Sequence, residues 1–353
     1  MVHAIRRHPI LISAPLAALA VGAGIGAQAL LRPGTPSADR DLLDALIATP
    51  RPVPGAPGSP ATLPQGHSQA SAQTTSPASL AAPALGAPEA GPSAVRAQRS
   101  AAAAGPNGAL AEPESGPAVG LEIRVALLKL PANPGFAATG SWRLFDRAGR
   151  LLQRGSAAER PDPTAFLGNE AEVWLEPAPG SNLLSAGRAY EGRFRILRGR
   201  DGLQVINHLP LESYVSSVVG GEMPSTWNRE ALRAQAVAAR SYALAHMARP
   251  ADGQWHLGDT TRWQNYEGLS SVTASTRDAT SSTSGLILSY QGGIVESLYA
   301  ATQQIVEEAH GHLGASMSQT GAQELAQRGL RYNEILGRYY QGASLARLQA
   351  GAS

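Results

Sequence analysis

Hydrophobic and polar positions fall into three regimes along the chain. From Pro9 to Leu31 almost every position is apolar, behind Arg6, Arg7 and His8. From about Arg32 to Ala118 the pattern dissolves into Ala, Pro, Gly and Ser, as in Pro52-Val-Pro-Gly-Ala-Pro-Gly-Ser-Pro60. From about Gly120 onward, short structured runs return. Leu121 to Lys129 alternates as a strand does, and Trp142 to Asp146 followed by Arg147 to Gln153 reads as a hairpin. Glu172 to Leu175 is a further short strand. Tyr190 to Leu197, a turn at Arg198 to Gly202, and Leu203 to Asn207 give a second hairpin. Asn228 to Ala248 consists mostly of good helix formers and predicts a long helix stopped by Pro250. Val272 to Ser282 is a weaker helix, because Ser and Thr compete for backbone hydrogen bonds. Leu286 to Tyr290 and Ile294 to Ala300 flank a turn at Gln291 to Gly293. Thr320 to Leu345 reads as two helices broken at Gly329.

This order predicts an α+β fold: a strand-rich N-terminal half with hairpins, a central long helix and C-terminal helices. Three parts follow: 1–31 as a signal peptide or membrane anchor, 32–118 as a disordered linker, and 119–346 as the folded domain. The apolar run is about long enough to span a bilayer, and Ala27-Gln28-Ala29 offers a cleavage site. Both a cleaved signal and a retained anchor export the domain to the periplasm or cell envelope. The linker carries too little apolar surface to offset the entropy of ordering; within it, Ser37 to Thr49 has the makings of one short helix.

The chain has no cysteine, which removes disulfides, thiol nucleophiles, iron–sulfur clusters and Cys-based zinc sites. A formal net charge of +2, with the arginines scattered, gives no footprint for nucleic acid. His310 and His312 alone are a poor metal set, and no cofactor is expected.

The chemistry concentrates after Glu212. An apolar run ends at Gly220-Gly221, then come Glu222, a turn at Met223-Pro224, and the long helix. A lone carboxyl at such a junction can sit in partly apolar surroundings and stay protonated near neutral pH, as a general acid requires. Glu222-Met223-Pro224 with Ala234-Gln235-Ala236-Val237-Ala238-Ala239-Arg240-Ser241-Tyr242 resembles the core signature of the SpoIID/LytB domain, the group of stage II sporulation protein D and the amidase enhancers. Gln264-Asn265-Tyr266-Glu267-Gly268 is similar to that family's Gln-x-Tyr-x-Gly. His310 to Ala322 resembles its Gly-His-Gly segment, with extra residues between His312 and Met317. Between Tyr299 and His310 the chain is much shorter than the family pattern.

The resemblance implies a lytic transglycosylase that cleaves peptidoglycan glycan strands stripped of stem peptides, with Glu222 as its single acid/base. It implies substrate contacts from Gln235, Arg240, Ser241, Tyr242, Gln264, Tyr266, His312 and Gln319. For some of these a structural role stands beside the functional one: Arg240 either orients a carboxylate or forms a structural ion pair, and Tyr242 either meets sugar or belongs to the core. Trp255 and Trp263 offer stacking surfaces for sugar rings, or simple packing. Glu212 and Glu230 serve as expected neutral positions, worth at most about 1 kcal/mol to stability. The alternative function is a non-catalytic cell-wall-binding module that modulates an amidase. A third is an anchored envelope protein without a glycan site.

Overall fold

The computed structural model describes residues 108–117, 119–310 and 315–350, together with the backbone of 95–99. The expected signal or anchor, the short helix at 37–49, most of the linker, and His312 lie outside the described residues.

The strands follow in chain order. β1 (Val95–Arg99), β2 (Glu122–Ala126), β3 (Phe136–Ala138), β4 (Trp142–Asp146) and β5 (Leu151–Gly155) lie in the first half. β6 (Glu172–Pro177), β7 (Leu183–Ser185), β8 (Arg188–Tyr190), β9 (Arg193–Arg198) and β10 (Leu203–Pro210) complete it. The second half holds β11 (Leu257–Gly258), β12 (Leu286–Tyr290), β13 (Gly293–Ile294), β14 (Leu298–Ala300), β15 (Ser316–Ser318) and β16 (Ser344–Ala350). Its helices are α1 (Leu211–Glu222), α2 (Arg229–Ala248), α3 (Ala274–Ser281), α4 (Gln319–Gln327) and α5 (Tyr332–Tyr339). The fold is α+β, as the residue pattern predicts.

A seven-stranded sheet in the order β11-β2-β10-β9-β6-β4-β5 forms the first layer. Its hairpins β4–β5 and β9–β10 are those the alternation marks. Inward residues Ile123, Val125, Leu144, Val173, Leu175, Phe194 and Ile196 are fully buried, one from each second position, which is how a half-covered sheet makes its core. A second sheet, β1-β16-β12-β13, joins the first strand of the chain to three from the second half.

α2 is buried on nearly every side, from Ala231 to Ala245. Six of its Ala residues have no exposed surface, Ala231, Ala234, Ala236, Ala238, Ala239 and Ala243, and allow close approach of neighbouring elements. Asn228 caps it by accepting from the Glu230 backbone N–H at 2.9 Å.

Three features depart from the sequence pattern. The apolar run before the glycines, to which the pattern assigns no element, is a helix, α1; Glu212 stands in its first turn directly after β10, the strand-to-helix approach its position suggests. Ile294 to Ala300 does not return as one strand on β12: β13 does, while β14 pairs in parallel with β15. Ser344 to Ala350 forms a strand that pairs with β12 and β1; its short, partly polar sequence follows a turn and gives little periodicity. Structure also begins earlier than Gly120. Leu110 is buried, and its backbone exchanges hydrogen bonds with Asn333 of α5 at 3.1 and 2.9 Å.

Candidate active site

Glu222 closes α1. Met223 is already extended, with Pro224 next, so the helix cannot continue. The carboxyl therefore sits at the negative end of the helix, where an anion is disfavoured. Burial adds to this and pushes the Glu222 pKa above the ordinary carboxylate value; a backbone hydrogen bond from Asn265, the Gln319 side chain and the charge of Lys129 pull the other way. Burial prevails. The residue as a whole keeps intermediate exposure, so its carboxyl is largely desolvated without being sealed off. No second carboxylate is among the groups that shift it.

The two glycines have a steric purpose. A Cβ on Gly220 would run into the Ser271 carbonyl oxygen, and one on Gly221 into that of Asn265. Their bare backbone lets the segment 265–271 lie against the end of α1. There the Asn265 backbone N–H donates to Glu222 Oε1 at 2.7 Å, and its side-chain amide donates to the Gly221 carbonyl at 2.8 Å.

Gln264 anchors this segment. Its Oε1 accepts from the Tyr214 hydroxyl at 2.9 Å, and its Nε2 donates to the Tyr299 hydroxyl at 2.8 Å and the Ala239 carbonyl at 3.1 Å. With the amide fully engaged and no exposed surface, Gln264 holds the loop beside Glu222. Tyr266 is equally enclosed and donates to Asn207 at 2.7 Å, packed on Tyr214. Tyr214, Tyr242 and Tyr299 all titrate above the ordinary phenol value, first through burial and then through the charge of Glu222 among others. They form the aromatic wall near the carboxyl.

Gln319 opens α4 and approaches Glu222 closely enough to lower its pKa, though its buried Nε2 lacks full hydrogen-bond geometry. Gln235 is wholly buried on α2, and neither atom of its amide has a partner. Thus Glu222, Gln264, Tyr242 and Gln319 come together. Arg240 and Ser241 do not join them. Arg240, without exposed surface, grips Glu212 by two parallel bonds of 2.8 and 2.7 Å and donates to the carbonyls of Leu286 and Thr280. This is the structural ion pair among the two readings of that residue. The expectation that Glu212 is a neutral position is thus set against a bidentate pair with a fully buried guanidinium. Ser241 donates to the Val237 carbonyl and accepts from the Leu288 N–H, tying α2 to β12. Trp255 and Trp263 meet edge to face with centroids 5.4 Å apart.

Sequence reasoning missed Lys129. It follows the end of β2, its backbone N–H held by the buried Asp259 carboxyl. Its ammonium donates to Asn265 Oδ1 at 2.6 Å and acts on Glu222 through its charge. Nothing in a single lysine after an alternating strand marks such a role. Tyr299 was visible as part of a short strand and as the point after which the chain is shorter than the family pattern, with no role at the site.

Residues 199–290 match the family model described as Stage II sporulation protein, a span that contains Glu222 and the whole Gln264 segment. The chain carries a SpoIID/LytB domain. Over 118 residues this domain is 35% identical to stage II sporulation protein D of Bacillus subtilis, covering 29% of this chain and 34% of that one. It is 32% identical over 102 residues to the amidase enhancer of the same organism, covering 29% of this chain and 14% of the relative. An uncharacterised protein of Brachyspira hyodysenteriae is 34% identical over 116 residues, or 33% of this chain and 32% of its own length. The chain thus spans about a third or less of the length of these relatives. Within the SpoIID domain, the matched stretch supplies the carboxyl and its clamp, while Lys129 and Gln319 come from outside it.

Proposed function

We propose that the chain is a lytic transglycosylase that cleaves peptidoglycan glycan strands lacking stem peptides, outside the cytoplasmic membrane. The observation that supports this reading is Glu222: one desolvated, partly accessible carboxyl with a raised pKa and no second carboxylate acting on it. Hydrolysis by the usual route needs two carboxyl groups. Intramolecular transfer needs one. Protonated Glu222 donates its proton to the glycosidic oxygen as the C1–O bond breaks. The C6 hydroxyl oxygen of the same sugar then bonds to C1 and returns a proton to the carboxylate. The products are a 1,6-anhydro end and a free hydroxyl end, with Glu222 regenerated. The Asn265 N–H fixes one carboxyl oxygen and supports the anionic form between the two proton transfers.

The test is mass spectrometry of stripped glycan strands incubated with the full chain. Anhydro ends that form with the wild type and disappear with Glu222→Gln support the reading; hydrolytic ends, or anhydro ends that persist in the variant, refute it.

The likeness to the amidase enhancer favours a second reading, a wall-binding module that modulates a cell-wall amidase. Glycan retention by the wild type without any cleavage, together with a changed amidase rate on addition of the chain, would select it.

A further inference from the structure

A cavity of about 360 Å³ opens beside the N-terminal part of α1, lined among others by Glu191, Glu212, Ser213, Leu269, Val272 and Thr280. Glu222 is not part of its lining. Glu212 and Glu222 stand at opposite ends of α1, about 15 Å apart along the axis from the rise per residue.

The lining is unusual in its hydroxyls. Ser216, Ser281 and Ser284 join Ser213 and Thr280 around the space. Thr280 is 3% exposed, and its Oγ1 has no hydrogen-bond partner. A buried hydroxyl left unpaired at the wall of a cavity costs free energy that a ligand with a polar group there would recover. The charges exclude a strongly ionic ligand. Glu212 is already neutralised by Arg240, while Glu191 accepts from Ser213 at 2.9 Å and Arg277 also lines the space. With Glu212 neutralised, Glu191 and Arg277 leave one charge of each sign on the lining, so it has no net charge to hold an ion. Leu269 and Val272 add an apolar patch. Hydroxyls that both donate and accept, a carboxylate that accepts from a hydroxyl, and a lining whose exposed surface is mostly apolar together match one sugar ring, which has hydroxyls at its edge and C–H groups on its faces. The volume falls in the range of about 300–1,000 Å³ usual for small-ligand sites.

We propose that this cavity is a second carbohydrate site, taking a single neutral sugar ring and separate from the Glu222 centre. It requires no catalysis at Glu222. Its connection to that centre is through the chain itself, since Leu269 and Val272 continue the segment whose Asn265 clamps Glu222.

The test uses the full chain with labelled methyl groups, titrated with N-acetylglucosamine and followed by NMR. Saturable shifts are expected at the Leu269, Val272 and Thr280 methyls. Glu191→Ala removes an acceptor, and Ser281→Trp, at an exposed position, fills the opening. Each should weaken the affinity read at these methyls at least fivefold, while Glu222→Gln leaves it unchanged. Absence of saturable shifts at these methyls overturns the proposal, as does affinity that neither cavity variant alters. Anhydro-product formation is not a readout here, so failure of the transglycosylase reading leaves this result standing, and the reverse.

Discussion

The Asn265 backbone N–H donates to Glu222 Oε1 at 2.7 Å, while the Asn265 side chain donates back to Gly221, the residue before that glutamate. One residue thus fixes both the carboxyl and the helix end that carries it. The arrangement leaves the second carboxyl oxygen as the atom through which a proton can be exchanged.

Glu222→Gln keeps the shape of this contact and removes the proton. Anhydro-product formation should vanish. An acid with a raised native pKa holds its proton more tightly folded than unfolded, so the native state loses stability as pH rises from the ordinary carboxylate value through the raised one. The variant lacks this loss. Thermal melts of the two proteins across pH 4 to 8, a span about the usual carboxylate value and above it, should diverge in favour of Gln as the pH increases; parallel curves would contradict the raised pKa.

Activity should fall on the alkaline side as the acid form of Glu222 is lost. Lys129 pulls that pKa down. Lys129→Met should therefore move the alkaline limb to higher pH, whatever it does to the maximum rate. A limb that stays in place, or moves lower, separates Lys129 from the acid.

Gly221→Ala sets helix propensity against packing. Propensity favours Ala by up to about 1 kcal/mol, but the new Cβ meets a backbone oxygen, which cannot swing aside as a flexible side chain can. The clash should win, with a net loss of about 1–3 kcal/mol and a large fall in activity as Asn265 is displaced. Denaturant melts and the glycan assay read the two effects; a variant more stable than wild type would show that the segment yields freely.

Glu212→Gln should destabilise the protein by about 3 kcal/mol, because it leaves the buried Arg240 guanidinium short of its counter-charge. Urea unfolding checks this. A change below about 1 kcal/mol, the size of a surface ion pair, would mean that the carbonyls of Leu286 and Thr280 satisfy Arg240 by themselves.

The sequence made the hairpins and the long helix legible because their periodicity is local. Alternation in Arg193 to Pro210 and the Ala-rich run of α2 need no distant partner to be recognised. Glu222 was legible for the same reason: the glycines, the carboxyl and the proline are contiguous. Its clamp was only half legible. Gln264 and Tyr266 stood out as side chains, but the atom that reaches Glu222 is the backbone N–H of the residue between them, which no side-chain pattern reports. Arg240 was ambiguous because its partner, Glu212, precedes it by a helix and a turn. Lys129 and the parallel pairing of β14 with β15 depend wholly on tertiary approach.

β16 runs between β1 and β12, bonded to strands that precede it by very different lengths of chain. A polypeptide threaded through a pore from its N-terminus cannot complete that sheet until β16 has come through. Until then the edge of β12 on that side has no mate, and the packing of the half that bears Glu222 stays unfinished. Final assembly is therefore a late event in which distant segments meet, a topology that folds slowly. On the export route expected from the N-terminal apolar run and under the function proposed above, such lateness is an asset: Glu222 is put in place only on the far side of the membrane.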